Sequence, residues 1–376
     1  MTCHYFDYAS SCPPFPEALA EFSRMSIEYF SNPSSAHCLG REAQKAMEEL
    51  KKKMEMLCHR EKAGTILTSG GTEANNLVIR GIMEKYKKGR LLLAADVHES
   101  AWFSKKLYKS RTDVVPLEKN GQLSLKKIKD SLRKNTILMS AVHVNNETGV
   151  IHDIAAYSGL CREKDILFHC DGAQALGHIK FDLDTALVDF YTFSSHKFGG
   201  PRGVGGIFMN SIRLGLAPQI LGGGQEQGLR AGTENIAGLA AALVALDKSY
   251  STIETEKPRL NQLTDLFLER LAEKASDYLI NSKHDGLPGL VSISFPETIG
   301  TNLVAEMDLR GFAISAGSAC HSNDVKPSRI ITALGRSKKE ALGTVRISMG
   351  YKSTQDEVEE LAATLGEVIS RQRMLA

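Results

Sequence analysis

Between residues 65 and 209 the chain switches repeatedly between two hydrophobic periods, and few architectures accommodate that. Short β-type runs at 65–68, 90–94, 137–144, 166–170, 190–193 and 206–209 are interleaved with, and preceded by, stretches of helical spacing such as 42–57 and 73–85. Strands and helices alternating over so long a stretch predict an α/β fold, a mostly parallel sheet covered on both faces. After an apolar helix at 236–246 the texture changes. Residues 249–258 are polar and charged and read as a hinge, followed by an amphipathic helix at 260–275, short strands at 290–295 and 344–348, and a C-terminal helix. The division expected is a large domain over 13–250 and a smaller α+β domain formed by 1–12 with 251–376.

Composition narrows the function classes. The 376 residues are 42% hydrophobic and 24% charged, and 46 basic against 44 acidic side chains leave a net charge of +2. No excess of either sign calls for nucleic acid or a membrane surface as a direct partner. The basic runs Lys51-Lys52-Lys53 and Lys87-Lys88 read as solvated helix faces. The N-terminus shows no charged segment leading into an apolar core, and the apolar run at 236–246 is too short to span a bilayer, so the expected setting is cytoplasmic. Seven cysteines, an odd number without C-x-x-C pairs, argue against a disulfide framework and against a metal site.

The polar residues gather where strands end. Lys197, in Ser194-Ser195-His196-Lys197, follows Asp171, and each closes a β-type run. A lysine can hold pyridoxal phosphate as a Schiff base while a carboxylate keeps the pyridine nitrogen protonated, so that the ring absorbs electrons. Thr68-Ser69-Gly70-Gly71-Thr72-Glu73 joins a strand to a helix start, which is either an anion site or a plain helix cap. His98 ends another strand, where it could stack on a flat ligand or move protons. Asn145-Asn146-Glu147 and Asp171 to Gln174 repeat that placement, as turns or as ligand contacts. The glycine-rich stretch at 222–233 carries Arg230 and Thr233, suited to close approach to a phosphate in this or a neighbouring subunit, or to a surface loop. Cys320 sits among small residues in Ser315-Ala316-Gly317-Ser318-Ala319-Cys320-His321, an accessible setting for a thiol. Arg346 lies on an alternating strand, free to grip a carboxylate or to form a surface ion pair.

In order and spacing, residues 32–37, 68–76, 144–149, 171–174, 194–197, 222–233 and 315–346 resemble the cysteine desulfurases, and most of all the long-loop group that supplies sulfur for iron–sulfur cluster assembly. The likeness runs nearly end to end. It implies the class V aminotransferase fold, a pyridoxal phosphate-dependent transferase of fold type I whose large domain holds a mainly parallel sheet of the seven-stranded type. It also implies roles: Lys197 as the Schiff-base lysine, Asp171 as the pyridinium partner, His98 stacked on the ring, Gln174 at the ring hydroxyl, and Asn146 on cofactor and substrate. Gly71, Thr72, Ser194 and His196 would hold the phosphate, with Thr233 reaching in from the second subunit of a homodimer. Asn32 and Arg346 would anchor the carboxylate of L-cysteine, and Cys320 would be the nucleophile that takes its sulfur, leaving L-alanine. The persulfide would pass to a sulfur-acceptor protein, an iron–sulfur scaffold or a tRNA-thiolation relay.

Some positions depart from the usual pattern: Ser10-Ser11-Cys12 near the N-terminus, Arg202 in place of lysine, Gln227 in place of a basic residue, and His321 after the nucleophile. A selenocysteine lyase could share nearly every residue. A class V aminotransferase would not require Cys320, and a non-enzymatic assembly scaffold would not require the intact lysine, aspartate and thiol.

Overall fold

The structure is a computed structural model that describes residues 3–60, 64–210, 215–282, 285–317 and 326–375. Its centre is a seven-stranded sheet. The strands involved are β2 (Gly64–Thr68), β3 (Arg90–Ala94), β4 (Thr112–Val115), β5 (Thr136–Val142), β6 (Leu167–Asp171), β7 (Phe190–Ser194) and β8 (Gly205–Met209), in the order β2-β8-β7-β6-β5-β3-β4. All pairings are parallel except those of β8, which runs antiparallel to both neighbours. Strands β7 and β8 are buried at every residue, as helices on both faces demand. The parallel strands all point their C-terminal ends to one side. Polar residues can gather there because the backbone ladder stops and helix N-termini begin.

The remaining strands are short. β1 (His4–Tyr5) pairs with β11 (Phe312–Ala313), while β12 (Thr344–Ser348), β10 (Leu290–Ser294) and β9 (Leu279–Ile280) form a three-stranded antiparallel sheet. Their apolar side chains make a second core, in which Phe6 and Ile314 pack with Phe267, Val345, Leu361 and Ile369.

The hinge expected at 249–258 does not exist as a break. Residues Ile236–Lys274 form one helix of 39 residues with Pro258 inside it. Leu239 and Leu246 at its start are buried in the large core, Leu263, Phe267 and Leu271 near its end in the second, and Ile253 between them is also buried. The hydroxyls of the polar midsection bond back to carbonyls one turn earlier, Ser251 and Thr252 to Lys248 and Thr255 to Thr252, so they are satisfied within the helix. By length and composition this helix could cross a membrane, yet its apolar face is spent on the two cores. The run Lys87-Lys88 also differs from expectation: it lies in a turn beyond the helix Gly71–Lys85, not on a helix face.

Candidate active site

A crevice of about 610 Å³ opens at the C-terminal edge of the large sheet. Lys197, Asp171, His98, Gln174, Asn146, Gly71, Thr72, Ser194 and His196, nine positions singled out from the sequence, line it together. Lys197 ends a single 3₁₀ turn, Ser195–Lys197, directly after β7. Its Nζ donates to the Ala9 carbonyl at 2.6 Å. Burial, then the positive charge of Arg346, pull its pKa from 10.5 down to about 8, against the opposing pull of Asp171 and Asp7. The result is an amine that is partly neutral, and therefore nucleophilic, near pH 7.

Asp171 is the last residue of β6 and is nearly buried. Gly172 lets the chain turn tightly behind it, since a Cβ there would stand 2.0 Å from the Tyr191 ring. The Ala173 N–H donates to Asp171 Oδ1 at 3.0 Å and the Asn75 amide to Oδ2 at 2.6 Å. The same Asn75 nitrogen donates to Ser100 Oγ at 2.9 Å, and Ser100 meets His98 Nδ1 through its hydroxyl (2.8 Å) and its N–H (3.2 Å). Two donors on Nδ1 assign the ring proton to Nε2. Burial within the crevice wall lowers the pKa of His98, against the pull of Asp171, so the ring stays neutral near pH 7. A chain of hydrogen bonds therefore joins the carboxylate to the imidazole. Asn75 and Ser100, which build it, were not singled out in the sequence; Asn75 looks like one polar residue in an amphipathic helix until its neighbours are placed.

On the other side of the crevice, the helix Gly71–Lys85 begins without a side-chain cap, and Gly70 holds the entry at φ 154°. Thr72, Ser194 and His196 surround that end. His196 bonds Ser11 Oγ at 3.2 Å, and burial followed by the charges of Lys197 and Arg202 lowers its pKa to about 4, so it too is neutral. Arg202 adds a fixed positive charge to the same wall.

A smaller cavity of about 230 Å³ shares Ser10, His98, Asn146 and Lys197 with the crevice and adds Glu147, Arg329 and Arg346. Arg346, on β12, is buried; one arm donates to Asp7 Oδ1 at 2.6 Å and the other to the Asn146 carbonyl at 2.8 Å, while Nε is buried without a partner among the described residues. Asp7 is thus a site residue that sequence reasoning missed, visible only once strand β12 lies beside the N-terminal segment. The turn holding Asn146 is rigid: Asn145 Oδ1 accepts from the N–H groups of Glu147 and Thr148, both at 2.9 Å, and its amide donates to the Asp96 carbonyl.

Asn32, expected at the substrate carboxylate, is not in the crevice, and Thr233, expected to reach the crevice of a second subunit, does not line this chain's own. Asn32 is exposed and caps its own turn through Ser34 N at 2.9 Å, and Thr233 is also exposed. Neither lines the crevice or the smaller cavity of this chain. Cys320 and His321 lie outside the described residues. Gly317, the last described residue before them, does line the smaller cavity. None of the six described cysteines faces either space, and burial pushes the thiols of Cys12 and Cys161 up to about 12 and those of Cys58 and Cys170 higher still.

The open groups fit pyridoxal phosphate. An uncapped helix start with hydroxyls and a neutral imidazole suits a phosphate. Asp171 offers an anion to a pyridine nitrogen, and the buried Gln174 Oε1 has no partner among the described residues. Fold and site together define a pyridoxal phosphate-dependent enzyme of fold type I. Residues 4–361 match the family "Aminotransferase class-V", and the chain belongs to it. Among its relatives is the cysteine desulfurase IscS of Dictyoglomus turgidum, 35% identical over an alignment of 381 positions that covers 99% of this chain and 96% of that protein. A solved NifS-like protein superposes with a TM-score of 0.89 at 26% identity, covering 98% of this chain and 100% of the other. SspA, solved in complex with cysteine, gives a TM-score of 0.79 at 29% identity over 92% and 98% of the two chains.

Proposed function

We propose that this chain is a cysteine desulfurase that converts L-cysteine to L-alanine and carries the sulfur away as a persulfide on Cys320. The observation that carries the reading is the junction of the two cavities. The depressed amine of Lys197 faces both, Arg346 lies in the smaller one, and Gly317, three positions before Cys320 in sequence, lines the smaller one as well. In this reading the bound cofactor supplies an electron sink for the substrate Cα. The neutral Lys197 amine takes the proton from Cα and returns one to the product. Arg346, held by Asp7 and the Asn146 carbonyl, offers its remaining N–H donors to the substrate carboxylate. The Cys320 thiolate attacks the substrate sulfur. An S–S bond forms, the Cβ–S bond breaks with its electron pair moving to carbon, and protonation of that carbon yields alanine.

Two further elements belong to the proposal. The exposed Thr233 and Asn32 would act across a homodimer, in which a second copy completes each crevice. The acceptor would be a thiol-bearing protein, an iron–sulfur scaffold or a tRNA-thiolation relay, in a cytoplasmic setting.

Alanine release from L-cysteine, with dithiothreitol as sulfur acceptor, tests the reading. The parent is expected to form alanine and Cys320→Ala to form none. No alanine from either, with the cofactor held at Lys197, would overturn it and direct the search to selenocysteine and to amino-group acceptors.

A further inference from the structure

A shelf of positive charge starts at the mouth of the smaller cavity and follows the edge of the large sheet. Two short helices after β3, Glu99–Trp102 and Ser104–Leu107, form it together with the turn Lys109–Arg111 and the end of the helix Gly71–Lys85. Arg111 fastens the parts to each other, its Nη1 donating to the carbonyls of Met83, Tyr86 and Gly89 at 3.3, 3.2 and 3.2 Å. Lys85, Lys87, Lys88, Lys105, Lys106 and Lys109 are all exposed, and none has a carboxylate within ion-pair distance among the described residues. The acids nearby are already matched with arginines: Glu84 with Arg80 at 3.4 Å, Glu99 with Arg329 at 3.2 Å and Asp113 with Arg90 at 2.7 Å. These six lysines put six positive charges on one face, three times the chain's net charge of +2.

Apolar surface lies among these lysines. Phe103 and Leu107 are each 53% exposed and Tyr86 is 42% exposed. Like charges crowded around exposed apolar groups repel one another and add nothing to the fold. An apolar centre with a charged rim is instead the make-up of a protein interface, where the rim steers the encounter. The inner end of the shelf reaches the chemistry. Arg329 lies over the Trp102 ring at 4.0 Å and also lines the cavity shared by Lys197 and Arg346.

We propose that this lysine shelf docks the acidic face of a thiol-bearing protein, and that this protein is the acceptor that collects sulfur from Cys320. The inference rests on the desulfurase reading. Single-stranded nucleic acid suits the shelf less well, because binding it needs free aromatic faces on which bases stack. Here each ring already carries a cation over one face, where a base would have to compete with it: Lys105 lies over Trp102 at 4.7 Å, Lys106 over Phe103 at 5.1 Å, Arg111 over Tyr108 at 5.1 Å and Lys85 over Tyr86 at 5.5 Å. The transfer step balances without an added reductant. The acceptor thiolate attacks the outer sulfur of the persulfide, the S–S bond to Cys320 breaks, Cys320 leaves as a thiolate and takes up the proton the acceptor lost, and the acceptor becomes the persulfide.

Three synthetic peptides carrying the same cysteine, flanked by glutamates, by serines or by lysines, serve as acceptors for the holoenzyme. With the parent at low salt the acidic peptide is expected to gain sulfur at least about tenfold faster than the serine peptide, an advantage that salt erodes. The triple variant Lys105→Glu, Lys106→Glu, Lys109→Glu should lose that preference while its dithiothreitol-supported alanine release stays at the parent rate. A second variant, Lys85→Glu, Lys87→Glu, Lys88→Glu, changes a separate turn and decides the matter should the first fail to fold. Equal rates for acidic and neutral peptides, a preference that survives both variants, or inhibition by an RNA oligonucleotide but not by a thiol-free acidic peptide would each overturn the proposal. Absence of alanine release from the parent with dithiothreitol would instead remove the desulfurase reading, and the docking role with it.

Discussion

Lys197→Ala will lower L-cysteine turnover by on the order of 10⁴-fold or more, the upper range for removing a positioned general base, which in the proposed reading is also the covalent anchor. Both tasks need a neutral amine. With a pKa of about 8 rather than 10.5, about one Lys197 in ten is neutral at pH 7, against about three in ten thousand for an ordinary lysine. Burial is the main cause and Arg346 the second, so the depression belongs to the folded crevice. The sign of the pH dependence follows. Capture of pyridoxal phosphate by the apo-protein, followed by its visible absorbance, should speed up as pH rises and level off above about 8. A profile that keeps rising to pH 10 would show that the crevice does not depress this amine. Lys197→Arg should not rescue, because a guanidinium stays protonated throughout.

Asp171→Asn ranks next. The substitution keeps the shape and one acceptor for the Asn75 amide, which lies 2.6 Å away, but removes the charge. Losing one member of a buried charge pair costs about 3–5 kcal/mol, so turnover is expected to fall about 10²–10⁴-fold. Cofactor retention should drop far less, because the helix start and its neighbours still hold the phosphate. Asn75→Ala separates charge from placement: it leaves the carboxylate and removes the donor that also orders Ser100 and His98. A turnover loss in Asp171→Asn no larger than in Asn75→Ala would mean that Asp171 acts as a structural acceptor only.

Much of this arrangement is legible in the sequence. Buried strands that end in polar residues announce a crevice, and Lys197, Asp171, His98 and Asn146 stood out as candidates on that ground, while their roles came from the family resemblance. What escaped were partners whose meaning is purely tertiary. The Ala9 carbonyl and Asp7 come to Lys197 and Arg346 from the far end of the chain. Asn75 acquires its role only when a helix lies across β6. The break expected at 249–258 failed for a different reason. Local polarity there reflects an exposed face, while a single buried residue, Ile253, between Leu246 and Leu263 accompanies a helix that is anchored in a core at each end. Asn32 and Thr233 carry the opposite lesson: a resemblance can name residues that a single chain does not bring together.

The central claim is that Cys320 receives the substrate's sulfur, and single turnover with sulfur-labelled L-cysteine tests it most directly. With no acceptor present, the account predicts label on the peptide containing Cys320, removable by dithiothreitol, and alanine in an equal amount. Alanine formed without label on that peptide, or label found equally on Cys320→Ala, would contradict it.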